Sequence, residues 1–115
     1  MPKFALFFTY TSDAWGAMVE KPRDRAAQAR AVVEAADGTM EAIYWMLGPH
    51  DGFCIFDAPN SVSAGAVSVA VGSTGSFKHL ETHELLTQDG LSDLLASARE
   101  CRRNYQPPRQ PASTS

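Results

Sequence analysis

The sequence predicts an α+β domain, a four-stranded antiparallel sheet built in the order β-α-β-β-α-β with one further helix after it. Three observations carry this reading. Short runs rich in aromatic and branched residues recur at 3–10, 39–47, 52–57 and 76–86, each bounded by turn residues. The segments after the first and third runs read as helices. The second and third runs are joined only by Gly48-Pro49-His50-Asp51, a hairpin length that makes the pair antiparallel.

The first run, KFALFFTY, places Phe4, Leu6, Phe8 and Tyr10 on one face and Lys3, Ala5, Phe7 and Thr9 on the other. Thr11 follows as a helix N-cap, with Asp13 in the first turn where a negative charge suits the helix dipole. Trp15, Val19, Ala26, Ala29, Val33 and Ala36 then recur at helical spacing, interrupted near Pro22. Proline is poorly tolerated inside a helix, so the segment either kinks there or divides, with a second helix carrying Pro22 near its first turn. Asp37-Gly38 ends it, the glycine serving as C-cap. Asn60 caps a helix over 61–72 made of Ser, Val, Ala and Gly, whose small side chains allow close packing on a sheet. The last helix spans Gln88 to about Arg103, with Leu91, Leu94, Leu95 and Ala98 on one side and three arginines near its C-terminal end. Residues 1–104 are expected to form one domain, and the Pro-, Gln- and Ser-rich segment 105–115 a flexible tail.

Composition excludes several classes. The 115 residues suit one compact domain. A formal charge of -3 argues against a protein that works by neutralising nucleic-acid phosphates. No run of 18 apolar residues is present for a membrane-spanning helix, and the N-terminal stretch reads as a strand rather than a signal peptide. The two cysteines, Cys54 and Cys101, lie far apart in unlike settings and read as free thiols of a reducing cytoplasm.

The element order is the ferredoxin-like split βαβ motif. Two helices cover one face of such a sheet, and a face that meets water should be polar. Here both faces are apolar. In strict alternation the second run sets Ile43, Trp45 and Leu47 against Met40, Ala42, Tyr44 and Met46, and the third sets Cys54 and Phe56 against Phe53 and Ile55. A symmetric second copy is the simplest cover, so a homodimer or larger homo-oligomer with facing sheets is expected; a ligand between sheets is the other option.

With this order in place the sequence resembles the GYD domain family over residues 2–87. The resemblance is carried by PKFALFFTYTSDAW, by the arginine Arg25 in RDRAAQARAVVEAADG, by TMEAIYWMLG, by the corner GPHDGFCIFDAP, by SAGAVSVAVGSTGS and by ELLT. The family's corner is usually Gly-x-Tyr-Asp; Gly48 and Asp51 match it and His50 replaces the tyrosine. The resemblance implies a ferredoxin-like fold related to the dimeric α/β barrels, in small bacterial or archaeal cytoplasmic proteins, with no established activity. Related barrel families include cofactor-free monooxygenases, haem-binding enzymes and stress proteins, among which fold alone does not choose.

His50 is the candidate catalytic residue, since histidine titrates near neutrality and a hairpin mouth can look into a pocket. Asp51 beside it is either a partner or a turn residue accepting local N–H groups. Arg25 offers a fork of donors to a carboxylate or phosphate, or else pairs with Glu34 or Glu41. Trp15, Tyr44 and Trp45 either line an aromatic pocket or pack as core and dimer contact. Trp15, Arg25, Tyr44, His50 and Asp51 are thus the candidate ligand-binding set, for a small apolar or aromatic molecule. His79 and His83 sit roughly 13 Å apart along a strand, too far for one zinc ion, and read as surface or interface residues; no metal site is expected. No phosphate-binding loop or C-x-x-C pair is present, and the sequence names no cofactor. Two functions stay open: a homo-oligomeric binding or assembly protein, and a cofactor-free oxygenase- or isomerase-type enzyme with His50 as base.

Overall fold

The computed structural model describes residues 1–108. The chain forms β1 (Lys3–Tyr10), α1 (Ser12–Glu20), α2 (Arg25–Ala35), β2 (Thr39–Trp45), β3 (Gly52–Asp57), α3 (Ser61–Gly72), β4 (Phe77–Leu85) and α4 (Gln88–Arg103). The four strands make one antiparallel sheet in the order β2-β3-β1-β4. This is the expected ferredoxin-like arrangement with an added C-terminal helix. The sheet and α1–α3 form a unit over Met1–Leu85, and α4 belongs to a second unit that begins at Leu86. Of the tail expected at 105–115, residues 109–115 lie outside the described residues.

Each helix begins where a side chain can take up a free N–H group. Thr11 accepts from Ala14 N at 3.2 Å, Asp24 from Ala27 N at 2.9 Å, Asn60 from Ser63 N at 2.9 Å, and Thr87 from Gly90 N at 3.1 Å. The Asp24 cap decides how the chain passes Pro22. The segment divides into two helices, and Pro22 lies in the link before the cap rather than in the first turn of α2. At the other end of α2, Asp37 takes the left-handed conformation, with φ 62°, in place of the expected glycine C-cap. Gly38 is needed for a different reason: a Cβ there would lie 2.3 Å from the Asp57 carbonyl oxygen.

The core lies between α2, α3 and one face of the sheet. Phe4, Leu6, Cys54 and Phe56 from the sheet pack with Val33 of α2 and with Ala64 and Val67 of α3. Phe56 is fully buried and stacks on Phe4 at 5.8 Å. Strict alternation misplaces one residue. The β2–β3 register slips between Met40 and Ala42, leaving Glu41 as the extra residue of a bulge. Met40 therefore shares the helix-covered face with Ile43 and Trp45, opposite Phe56, Cys54 and Gly52, while Ala42 and Tyr44 turn to the other face. Strand β2 also ends at Trp45, two residues short of the expected end, and Leu47 is fully exposed.

The second face of the sheet carries Ala5 and Phe7 from β1, Phe53 and Ile55 from β3, Tyr44 from β2, and His79, Glu81 and His83 from β4. Phe7 stacks on Phe53 at 5.5 Å, and Phe53 meets Tyr44 at 5.7 Å. The aromatic stripe on this face is as expected; the ionisable group along β4 beside it was not.

Candidate functional site

The helix-covered side of the sheet does not close completely. A cavity of about 330 Å³ remains between α2, α3 and the sheet, at the lower end of the range for small-molecule sites. Its walls are apolar side chains of every element around it, among them Leu6, Phe8, Val32, Ile43, Val71 and Phe77. The gap follows from residue size: α3 presents Ala70 and Val71, and α2 presents Ala29, where larger side chains would fill the space.

Polar groups are few and sit towards the strand and helix ends. Arg25 and Gln28 are on the first turn of α2, and Thr74 and Ser76 are on the link from α3 to β4. The Tyr10 hydroxyl accepts the Trp45 indole N–H at 3.2 Å, which leaves its own proton free to donate. Cys54 is also in the wall. Burial pushes its thiol up to about 11, so it stays protonated and is no nucleophile at neutral pH.

Arg25 does not make the pairs that a purely structural role would give it. Glu41 engages Lys3 instead, in a group completed by Asp57 at 3.1 Å from the same ammonium. The bonds to Glu41 and Asp57 raise the Lys3 pKa above its ordinary value. Among the described residues Arg25 has no ion-pair partner.

The corner at 48–51 is a brace. Asp51 Oδ2 accepts the Tyr10 backbone N–H at 2.8 Å and the Trp15 indole N–H at 3.2 Å. Its own backbone N–H donates to Phe8 O at 2.8 Å, and its carbonyl accepts from Met46 N at 2.9 Å. One residue thus ties the end of β1 to α1 and closes the β2–β3 hairpin. Tyr10 needs this partner because the pairing of β1 with β3 ends at Phe8 and Gly52, which leaves its amide beyond the ladder. Trp15 packs edge-on against Tyr10 at 5.0 Å, so it acts on the cavity through Tyr10.

His50 leaves the same corner in another direction. Its ring lies 5.3 Å from Phe7 and 6.0 Å from His79, on the second face of the sheet. There Glu81 Oε2 accepts from His79 Nε2 at 2.8 Å, Glu81 Oε1 accepts from His83 Nε2 at 3.1 Å, and His50 Nε2 stands 3.4 Å from Oε2. A carboxylate only accepts, so His79 and His83 carry their proton on Nε2 in this arrangement. The bonds from His83 and then His79 lower the Glu81 pKa below its ordinary value. Among the described residues His50 Nδ1 is buried without a hydrogen-bond partner. Among the described residues no group of three or more His, Cys, Asp and Glu side chains is arranged to share a metal ion. His79 and His83 bind opposite oxygens of a carboxylate that stands between them.

The candidate set is therefore divided by the sheet. Arg25 lines the cavity, Trp15 and Asp51 brace its Tyr10, and His50 and Tyr44 stand on the opposite face. Tyr10, Trp45 and Gln28 are cavity residues the candidate set left out. Alternation along β1 and β2 does put Tyr10 and Trp45 on the core face, whereas Gln28 needs the pose of α2 on the sheet. Glu81 was legible too, since His79, Glu81 and His83 fall at i, i+2 and i+4 of a strand and share one side.

The family model described as GYD domain matches residues 4–95. The chain belongs to the GYD domain family. The match runs from β1 into α4 and so covers both the cavity and the corner. No curated protein matches the sequence. In this GYD domain the aspartate of the corner is a structural tie, and the histidine in the tyrosine position joins a group on the far side of the sheet from the cavity.

Proposed function

We propose that this GYD domain is a binding protein for a small apolar or aromatic molecule, held between α2, α3 and the sheet, and that it works as a homodimer or larger homo-oligomer in a reducing cytoplasm. The cavity carries the reading. Its apolar walls, with a few polar groups at one end, are the usual form of a small-molecule site. Self-association is supported by the aromatic stripe Phe7, Phe53 and Tyr44 on the face of the sheet opposite α2 and α3. Free Cys54 and Cys101 suit a reducing compartment.

The alternative, a cofactor-free oxygenase or isomerase with His50 as base, has less support. A general base must reach its proton within hydrogen-bond distance, and His50 stands across the sheet from the cavity. The cavity wall offers Arg25, the Tyr10 hydroxyl and a protonated Cys54, which bind and orient a ligand but include no base active at neutral pH.

The test uses a neutral, environment-sensitive fluorophore, N-phenyl-1-naphthylamine. Saturable binding to the wild-type chain is expected, and its loss in Val71→Trp, which fills the cavity. Binding that survives Val71→Trp refutes the cavity as the site. Light scattering tests assembly: a mass of one chain at micromolar concentration refutes it, and Phe53→Asp is expected to shift a dimer to monomer.

A further inference from the structure

We infer that the ligand of this cavity is an apolar monocarboxylic acid, its carboxylate held by Arg25 and by the Tyr10 hydroxyl. The inference rests on the cavity reading above and adds the chemical class of the ligand.

Charge is the first argument. Among the described residues Arg25 is the one charged residue lining the cavity, and no carboxylate lines it. Arg25 is half-buried and has no ion-pair partner among the described residues. Of the nearby acids, Asp24 Oδ1 caps α2 through Ala27 N at 2.9 Å, Glu41 pairs with Lys3, and Glu20, which shares a surface hollow with Arg25, makes no ion pair with it among the described residues. A guanidinium beside apolar walls, with no internal counter-ion, is completed by an anion from outside.

The number of charges sets the class. One guanidinium matches one negative charge. A phosphate dianion would bring a second charge into a cavity whose lining, among the described residues, holds no other cation, and would lose part of its hydration without return. A carboxylate fits the planar fork with two parallel hydrogen bonds. The Tyr10 hydroxyl, already accepting from Trp45 at 3.2 Å, has a proton left to donate to an acceptor oxygen. The remaining walls, Leu6, Phe8, Ile43 and Phe77 among them, ask for a ligand body that is hydrocarbon or aryl.

The experiment compares two probes of the same shape, 2-naphthoate and the neutral 2-naphthalenemethanol, by calorimetry at pH 7.5, where the acid is ionised. Wild type is expected to bind the acid on the order of 10- to 100-fold more tightly, the factor for a charge-assisted hydrogen-bonded pair. Arg25→Gln is expected to remove that preference, bringing affinity for the acid down to that for the alcohol, and Arg25→Lys to restore part of it. Tyr10→Phe is expected to weaken acid binding by a smaller factor. Equal affinity for both probes in wild type, or an acid preference that survives Arg25→Gln, overturns the carboxylate assignment and leaves the cavity reading standing. Binding of neither probe overturns both. Far-ultraviolet circular dichroism of each variant confirms that the fold is retained.

Discussion

Replacing Asp51 by alanine tests whether the corner is a brace or a reactive group. The carboxylate accepts two N–H groups, from Tyr10 at 2.8 Å and from the Trp15 indole at 3.2 Å. These losses are unequal. Tyr10 is only 5 % exposed, so its amide is left without a partner, at a cost of about 1–3 kcal/mol. Trp15 is 42 % exposed, so water replaces the carboxylate at its indole for a few tenths of a kcal/mol. The sum is about 2 kcal/mol, nearly all of it from one backbone amide. Asp51→Asn keeps an acceptor of the same shape and loses only the charge assistance, for about half that cost. Urea denaturation followed by circular dichroism measures both. A double-mutant cycle with Trp15→Phe is expected to show a coupling below about 0.5 kcal/mol. An Asp51→Ala variant within about 0.5 kcal/mol of wild type would refute the reasoning, because the Tyr10 amide would then have another partner.

Gly52→Ala places a Cβ 2.4 Å from Phe8 Cζ and 2.7 Å from the Tyr44 carbonyl oxygen. Because the latter contact is backbone, destabilisation of about 3 kcal/mol or more is expected in the same assay. Ellman's reagent at pH 8 should titrate one thiol per native chain, the exposed Cys101, and both in denaturant, since Cys54 is buried with its pKa raised to about 11. Glu81 has its pKa lowered by the bonds from His83 and His79. The stability it contributes is therefore complete above its unfolded pKa and lost as pH falls through its folded one. Glu81→Gln should flatten the acid limb of the stability profile and leave the alkaline limb unchanged; identical acid limbs would refute the assignment. Phe7 lies 5.3 Å from His50 and 5.8 Å from His83, so a second copy that covers Phe7 also takes these imidazoles from water. A fixed charge at this place, Phe7→Asp, should then weaken self-association, as sedimentation velocity measures.

Local physics made most of the fold legible. The strands declare themselves by short apolar runs between turn residues. Two of the helices declare themselves by Thr11 and Asn60, whose side chains meet amides only three residues on. Such interactions depend on near neighbours, so a linear reading finds them. It went astray where a distant contact overrides the local pattern. Met40 changed faces because of a bulge at Glu41, whose side chain reaches Lys3 on β1. Asp37, not glycine, took the left-handed position, because Gly38 was required by the close approach of Asp57.

The site divides in the same way. The sequence by itself determined the chemistry available: one arginine on the first turn of a helix, aromatic strands, and a histidine in the corner. Only the tertiary structure decided which of these share a space. A strand sends successive side chains to opposite faces, so a shift of one residue separates groups by the thickness of the sheet. That parity put Tyr44 across the sheet from Arg25. The path of the hairpin sent His50 the same way, away from the cavity and into contact with Glu81. Asp51, one residue further on, turned back to hold Tyr10.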